Sequence, residues 1–333
     1  MKATAVESTK RRRAWLLLGL GLIAVAAAGT ARAAGFPEKP VMLVVPFPPG
    51  GATDTVGRIL AKGIGARIGQ TVVVDNKPGG GTTIGAGHVA RAPADGYTLL
   101  ISSGTTFTIN PAIYAKLPYD TVQNFEAIGI AGSSPLVLLA NPNTPVNTLQ
   151  ELVAAAKAAP DKFTYASFGN GTTSHFAGEM LKEAAGIKLL HVPYKGSAPA
   201  MTDLIGGQVA LSIDTAIAAL PHLKGGKVKA LAVTAAKRSK LLPDVPTVAE
   251  SGYPGYELTP WIAVVGPRGM PADAKAKLQK ALADTVADKT IAEELAATGM
   301  DVAFSPPAAF DAIVAKELPL MRALAQRANI KLD

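Results

Sequence analysis

Short runs of β-branched and aliphatic residues recur along this chain, separated by stretches with helical spacing. Runs at 41–45, 72–74, 98–101, 127–130, 136–140, 189–192, 209–213 and 230–233 predict buried strands. Between them, Val56, Ile59, Leu60, Ile64 and Ile68 share one helical face, as do Leu149, Leu152, Val153 and Ala156. Thr148 and Glu151 stand three apart ahead of that second helix, the spacing of a capping box. Strand and helix alternating in this way predict an α/β protein with largely parallel sheets. Two punctuated places, Asn141-Pro142-Asn143-Thr144-Pro145 and Ser251-Gly252-Tyr253-Pro254-Gly255, predict that the chain crosses twice between domains. The expected layout is a discontinuous domain of residues 34–141 plus 257–333 and a continuous one of 142–256. Two hinge strands would join them, with a small-molecule cleft between.

The chain has 333 residues, 33 Lys+Arg against 25 Asp+Glu for a net charge of +8, and no cysteine. Without cysteine there is no disulfide scaffold, thiolate zinc site, cysteine nucleophile or lipid-anchor thiol. The basic excess is concentrated at the start. Lys10, Arg11, Arg12 and Arg13 precede an uncharged run over 14–29 and then Ala31-Arg32-Ala33, the pattern of an export signal cleaved after Ala33. The run is short for a membrane span of roughly 20 residues. Arg12-Arg13-Ala14-Trp15-Leu16 also resembles a twin-arginine signal, so both export routes stay open. Removing residues 1–33 takes away a net +5 and leaves +3, which withdraws the main support for nucleic-acid binding and places the mature chain in the periplasm.

Candidate chemistry lies in loops at strand carboxyl ends. Pro46-Phe47-Pro48-Pro49-Gly50-Gly51-Ala52-Thr53-Asp54 joins a strand to a helix expected to start near Thr55, so free amides at the helix start suit a carboxylate or phosphate. Asp54 alternatively only caps the helix. No Gly-Lys-Ser/Thr follows, so this is not a phosphate-binding P-loop. Gly85-Ala86-Gly87-His88-Val89-Ala90 loosely matches a dinucleotide fingerprint but lies in the second strand–helix turn, after Gly79-Gly80-Gly81; close packing is the better reading. Ser102-Ser103-Gly104-Thr105-Thr106, the segment 167–175, His191-Val192-Pro193-Tyr194-Lys195-Gly196-Ser197 and Ser212-Ile213-Asp214-Thr215 are four further small-polar loops at strand ends. Together they predict a binding cleft.

Catalytic constellations are thin. Ser174 and His175 are neighbours and point about 100° apart on a helix start. His88, His175, His191 and His222 show no metal spacing, and no Gly-x-Ser-x-Gly elbow occurs. The sequence therefore predicts no enzyme, metal or cofactor. Its alternatives are an exported hydrolase or lyase using Ser174, His175 and Asp214, or a partner that presents ligand to a sensor.

Several of these segments together resemble the Bug family, the extracytoplasmic solute receptors of tripartite tricarboxylate transporters. They are Val45-Pro46-Phe47-Pro48-Pro49-Gly50-Gly51-Ala52-Thr53-Asp54, Asn76-Lys77-Pro78-Gly79, Asp95-Gly96-Tyr97-Thr98-Leu99 and Lys116-Leu117-Pro118-Tyr119-Asp120. Tyr165-Ala166-Ser167, Gly169-Asn170-Gly171-Thr172, His191-Val192-Pro193-Tyr194-Lys195-Gly196 and Leu242-Pro243-Asp244-Val245-Pro246-Thr247 complete the set, spanning essentially the whole mature chain. One departure is Ile213-Asp214, where the family usually has Phe-Asp. The resemblance implies a type II periplasmic-binding-protein fold closing on a small organic carboxylate: a di- or tricarboxylate, an aromatic acid or an amino acid. It also implies delivery to membrane permease subunits by a monomeric receptor, with the first loop holding the ligand through amides and water. Carried over, it points to Phe47, Gly50, Gly51, Thr53, Asp54, Ser103 and Thr105 on one side of the cleft. On the other it points to Asn170, Thr172, Ser174, Lys195, Gly196, Ser197 and Asp214.

Overall fold

Among the described residues eleven strands largely alternate with helices; eight lie at the predicted runs, while those at 164–167, 261–267 and 301–305 were not predicted. The computed structural model describes residues 35–160 and 162–332; the export segment and its cleavage site lie outside the described residues. Residues 39–333 form one unit, and residues 35–38, of a separate one, contain no regular element. The strands are β1 (Val41–Val45), β2 (Val72–Asn76), β3 (Thr98–Ser102), β4 (Phe125–Ser133), β5 (Leu136–Ala140), β6 (Thr164–Ser167), β7 (Leu190–Pro193), β8 (Leu211–Thr215), β9 (Lys229–Val233), β10 (Trp261–Pro267) and β11 (Asp301–Ser305). The helices are α1 (Ala52–Ile68), α2 (Thr83–Ala90), α3 (Asn110–Ile113), α4 (Thr121–Asn124), α5 (Leu149–Ala158), α6 (Thr173–Ala185), α7 (Ser197–Ile205), α8 (Ala216–Lys224), α9 (Ala272–Ala287), α10 (Lys289–Ala297) and α11 (Pro307–Arg327).

The strands form two sheets, in the orders β11-β4-β10-β3-β1-β2 and β7-β6-β8-β5-β9. Both are mixed, which corrects the expectation of largely parallel sheets. β1 pairs in parallel with β2 and β3, and β6 with β7 and β8. β10 and β5, the first strand after each change of sheet, run antiparallel to both their neighbours. The chain changes sheet through Ser134 and Pro135, directly after β4, and returns between Val233 and Trp261. Residues 136–140, assigned to the discontinuous domain by a boundary at 141, thus pair within the second sheet. The proline-rich turn at 141–145 leads into α5.

Burial follows from the runs. All five residues of β5 are buried, and they alternate between two cores. Leu136, Leu138 and Ala140 pack with Tyr165, Leu181 and Leu211; Val137 and Leu139 pack with Ala166, Leu204 and Val233. A strand buried on both faces reads as a continuous apolar run, as this one does. A further cluster joins Ile109, Ile113, Met321 and Leu324 to Phe176 of α6, so α11 packs on a helix that covers the second sheet.

Two helix starts bear on the sequence reading. α1 begins at Ala52, earlier than expected, with Gly51 at its N-cap, so Thr53 and Asp54 are its second and third residues. α5 has the predicted cap, with Thr148 Oγ1 accepting from the Glu151 amide at 3.1 Å; the Glu151 carboxylate accepts in turn from the Asn147 amide at 2.6 Å.

Candidate functional site

The first loop is shaped from beneath by one buried carboxylate. Asp54, 3% exposed, accepts from the Gly50 amide at 2.9 Å and from Asn76 Nδ2 at 3.0 Å, and it meets the Arg58 guanidinium with both oxygens. Burial raises its pKa, but hydrogen bonds from Arg58, Gly50 and Asn76 outweigh that and hold the carboxyl below its ordinary value. Gly50 turns the chain at φ +79, a backbone state that other residues adopt at a cost. The result is a loop whose next amides, those of Ala52 and Thr53, have no hydrogen-bond partner among the described residues.

Those amides open onto an inner chamber of about 40 Å³. Four helix starts converge there: Gly51 to Thr53 of α1, Thr173 of α6, Gly196 to Pro199 of α7, and Thr215 with Ile217 of α8. One follows the first sheet and three follow the second. Each helix start carries roughly half a positive charge, and no residue lining the chamber is itself charged. Ser103 and Ser197 add hydroxyls, while Phe47, Phe168, Ile217 and Ile262 make the walls apolar.

The rings of Phe47 and Phe168 meet edge-on, centroids 6.3 Å apart, and border a second, outer chamber of about 690 Å³. It is lined by Gly79 to Thr82 and Tyr114 on one side and by Asn170, Thr172, Tyr194 and Lys195 on the other. Lys195 is the one charged group in this lining, and no acidic partner meets it among the described residues. Of the sequence candidates, Phe47, Gly51, Thr53, Ser103, Gly196 and Ser197 line the inner chamber, and Asn170, Thr172 and Lys195 the outer.

Of the remaining five candidates, Asp54, Thr105, Ser174 and Asp214 are buried behind these walls and Gly50 is exposed. Gly50 and Asp54 hold each other. Thr105 Oγ1 accepts from the Thr173 amide at 3.2 Å, linking the turn after β3 to the start of α6. Ser174 Oγ donates to the Ile213 carbonyl. Asp214, fully buried, accepts through Oδ1 from Ser197 Oγ and from the Thr215 amide, both at 2.7 Å. Burial pushes its pKa up to about 6 against the lowering effect of those bonds. Its Oδ2 has no partner, and neither do the buried hydroxyls of Ser134 and Thr173, which line the inner chamber. A buried polar atom without a partner is costly, so these groups are poised for something that enters. Thr173 and Thr215 lie in loops that the sequence flagged but were not among its candidate residues, and Ser134 lay outside every flagged loop. The signal for Ser134 was only that it begins the change of sheet.

The hydrolase geometry is not assembled. Ser174, His175 and Asp214 are engaged separately, with the Ile213 carbonyl, the Gly171 amide and the Ser197 hydroxyl. Among the described residues no group of three or more His, Asp or Glu could hold a metal ion, and no helix is long and apolar enough to cross a membrane.

Residues 56–330 match the TctC family, described as a tripartite tricarboxylate transporter family receptor. Protein BugT of Bordetella pertussis is 33% identical over 317 residues, covering 95% of this chain and 97% of its own. The solved structure of the periplasmic binding protein BugD is 41% identical with a TM-score of 0.84, covering 89% of this chain and 99% of that one. Rpa4515 of R. palustris, solved with adipate, is 34% identical with a TM-score of 0.86, at 89% and 99% coverage. The two-sheet α/β architecture is therefore that of periplasmic solute-binding proteins, and the chain belongs to the TctC family of tripartite tricarboxylate transporter receptors.

Proposed function

We propose that this protein captures a small organic carboxylate between its two sheets and delivers it to the permease subunits of a tripartite tricarboxylate-type transporter. The observation that carries the reading is the convergence of four helix starts on a chamber with no charged lining. Such a chamber favours an anion, because each unpartnered amide gains a charge-assisted hydrogen bond worth about 1.5–3 kcal/mol. The carboxylate sits against the amides of Ala52 and Thr53 and the hydroxyls of Ser103, Ser134, Thr173 and Ser197. The rest of the molecule extends past Phe47 and Phe168 toward Asn170, Thr172 and Lys195. Gly50, Asp54, Thr105, Ser174 and Asp214 hold these walls in place. The bound adipate of Rpa4515 is consistent with a ligand of this class.

The two sheets with their helices act as lobes that rotate about the links at residues 134–135 and 234–260, and the closed form is what the permease reads. The protein works as a monomer in the periplasm, after cleavage near Ala33, without catalysis. The test is calorimetry and thermal unfolding of protein refolded free of carried-over ligand, against dicarboxylates, tricarboxylates, aromatic acids and amino acids. At a hundredfold excess over Kd a true ligand stabilises by about 2.7 kcal/mol. If no acid in the panel shifts the transition, the carboxylate reading fails.

A further inference from the structure

Beneath the loop of residues 169–173 lies a cluster of titratable groups that ligand capture leaves unused. The His175 and His191 rings stack with centroids 3.9 Å apart and planes 8° from parallel, and Tyr165 stacks on His191 at 4.9 Å. Glu179 Oε1 accepts from the Tyr165 hydroxyl at 2.8 Å and lies 3.6 Å from His175 Nε2, while Lys182 Nζ reaches both oxygens of that carboxylate. His175 is 7% exposed.

Each histidine is tied to the loop. Ser167 Oγ lies 2.7 Å from His191 Nε2 and donates to the Gly169 carbonyl at 3.1 Å. The Gly171 amide donates to His175 Nδ1 at 3.1 Å. A backbone N–H can only donate, so Nδ1 must present a lone pair, and the proton of neutral His175 is on Nε2, facing Glu179. A second proton, on Nδ1, would set two donors against each other.

The loop held by that bond is the one that reaches across the cleft. Gly171 has φ +67, and a Cβ there would run into Ile113 and Leu332, outside the second sheet. Asn170 and Thr172 line the outer chamber, and Thr173 lines the inner one while its amide donates to Thr105. We propose that His175 is a positioning residue for ligand capture: the lone pair on its Nδ1 accepts from the Gly171 amide and holds loop 169–173 in place at the cleft. The proposal rests on the reading that this loop lines the ligand cleft.

Within the stacked pair His175 is the ring that accepts from a loop amide. Burial, followed by repulsion from His175, pushes His191 down to about 3, so it stays neutral. Burial raises Glu179, yet hydrogen bonds from His175, Lys182 and Tyr165 outweigh it and hold the carboxylate at about 2, so it remains ionised. Of the other elements packed on α6, β8 brings Asp214, engaged with Ser197. α11 brings Lys316, Glu317, Arg322 and Arg327, the last paired with Glu183 at 2.8 Å. The Tyr256 hydroxyl donates to the Ala177 carbonyl on the same helix.

His175→Asn keeps an acceptor near the Nδ1 position that takes up no proton, and His175→Leu removes the acceptor. With adipate as the probe, His175→Asn should match the wild-type affinity, because it keeps the acceptor. His175→Leu should bind about tenfold more weakly, the loss of one hydrogen bond. An Asn variant that binds as weakly as the Leu variant overturns the proposal, as does a Leu variant that binds as tightly as the wild type. The protection factor of the Gly171 amide, measured by NMR without ligand, should drop about tenfold in His175→Leu and not in His175→Asn. If adipate does not bind at all, that amide alone decides the matter: an unchanged protection factor removes the role of His175, while a fall upholds it and leaves only the ligand class to be revised.

Discussion

Phe47 and Phe168 meet edge to face, with centroids 6.3 Å apart and planes at 84°, and this pair joins the loop after β1 to the end of β6. Phe168 is part of the core under the second sheet, and Phe47 packs against that same core from outside it. Beside them Gly196, at φ +112, leaves room for Pro48; a Cβ there would approach the proline ring to 3.2 Å. The first loop thus reaches across the cleft through an aromatic ring and a proline, and the rings stand between the inner and outer chambers.

Phe47→Ala should therefore merge the chambers at modest cost to folding. Losing the ring contact is worth about 0.5–1.5 kcal/mol beyond the buried area. Ligand dissociation, followed by stopped-flow fluorescence, should accelerate several-fold more than association changes, since the partition acts after entry. Phe168→Ala should instead lower unfolding stability by about 3–5 kcal/mol, as a core truncation does.

Thr105→Val removes the acceptor of the Thr173 amide while keeping the side chain's shape. That bond links the turn after β3 to the helix after β6, so its loss should favour the open arrangement. Affinity should fall about five- to tenfold with unfolding stability lowered by about 1 kcal/mol. Small-angle scattering of the ligand-free variant should show a larger radius of gyration than the wild type, and Thr105→Ser should restore it.

Asp54→Ala should destabilise by about 1–3 kcal/mol, because Asn76 and the Gly50 amide lose their acceptor. The sign of the pH effect follows from a folded pKa held below 3.8. The stabilisation is present above the unfolded value and is lost as pH falls through the folded one. Acid unfolding curves of wild type and Asp54→Ala should converge below about pH 4.

Much of this was written in the local pattern. The runs at 41–45 and 136–140 coincide with β1 and β5, and Gly51 and Thr53 lie where a strand-to-helix loop had to place them. What escaped depends on distant partners. β10 carries a continuous apolar run like that of β5, but its place between β3 and β4, strands more than a hundred residues away, is set by pairing that no local pattern records. Asp54 turns inward because Arg58 and Asn76 converge on it. Ser134 and Thr173 resemble any other hydroxyl residues until folding leaves both without partners on one cavity wall.

Gly85 and Gly87 resolve as packing residues. A Cβ on Gly85 would lie 2.8 Å from Pro46 Cβ and 2.9 Å from the Lys77 carbonyl, and one on Gly87 would lie 2.9 Å from Pro118. Gly85→Ala should cost about 1–3 kcal/mol from overpacking. Because Pro46 begins the first loop, ligand affinity should drop with it, whereas nicotinamide and adenine nucleotides should leave the melting temperature of the wild type unchanged.

Asp214 makes the opposite pH prediction from Asp54. Its folded pKa is raised to about 6 by burial, above the ordinary 3.8. Between those values the folded state holds a proton that the unfolded state has released, so its contribution favours folding at low pH and fades as pH rises through about 6. The swing is up to about 3 kcal/mol. Asp214→Asn keeps an oxygen to accept from Ser197 and Thr215 and carries no charge, so it should be at least as stable as the wild type at neutral pH and flatten that slope. The ionised carboxylate also lies behind Ser197 and Thr215, which line the chamber proposed for the ligand's own carboxylate. Removing its charge should tighten binding of simple carboxylates above about pH 6, and the advantage should shrink below it as the wild-type Asp214 takes up its proton. For an amino acid whose ammonium group meets the free Oδ2, the same substitution should weaken binding. Calorimetry of Asp214→Asn with a matched acid and amino acid therefore reads which group this residue faces.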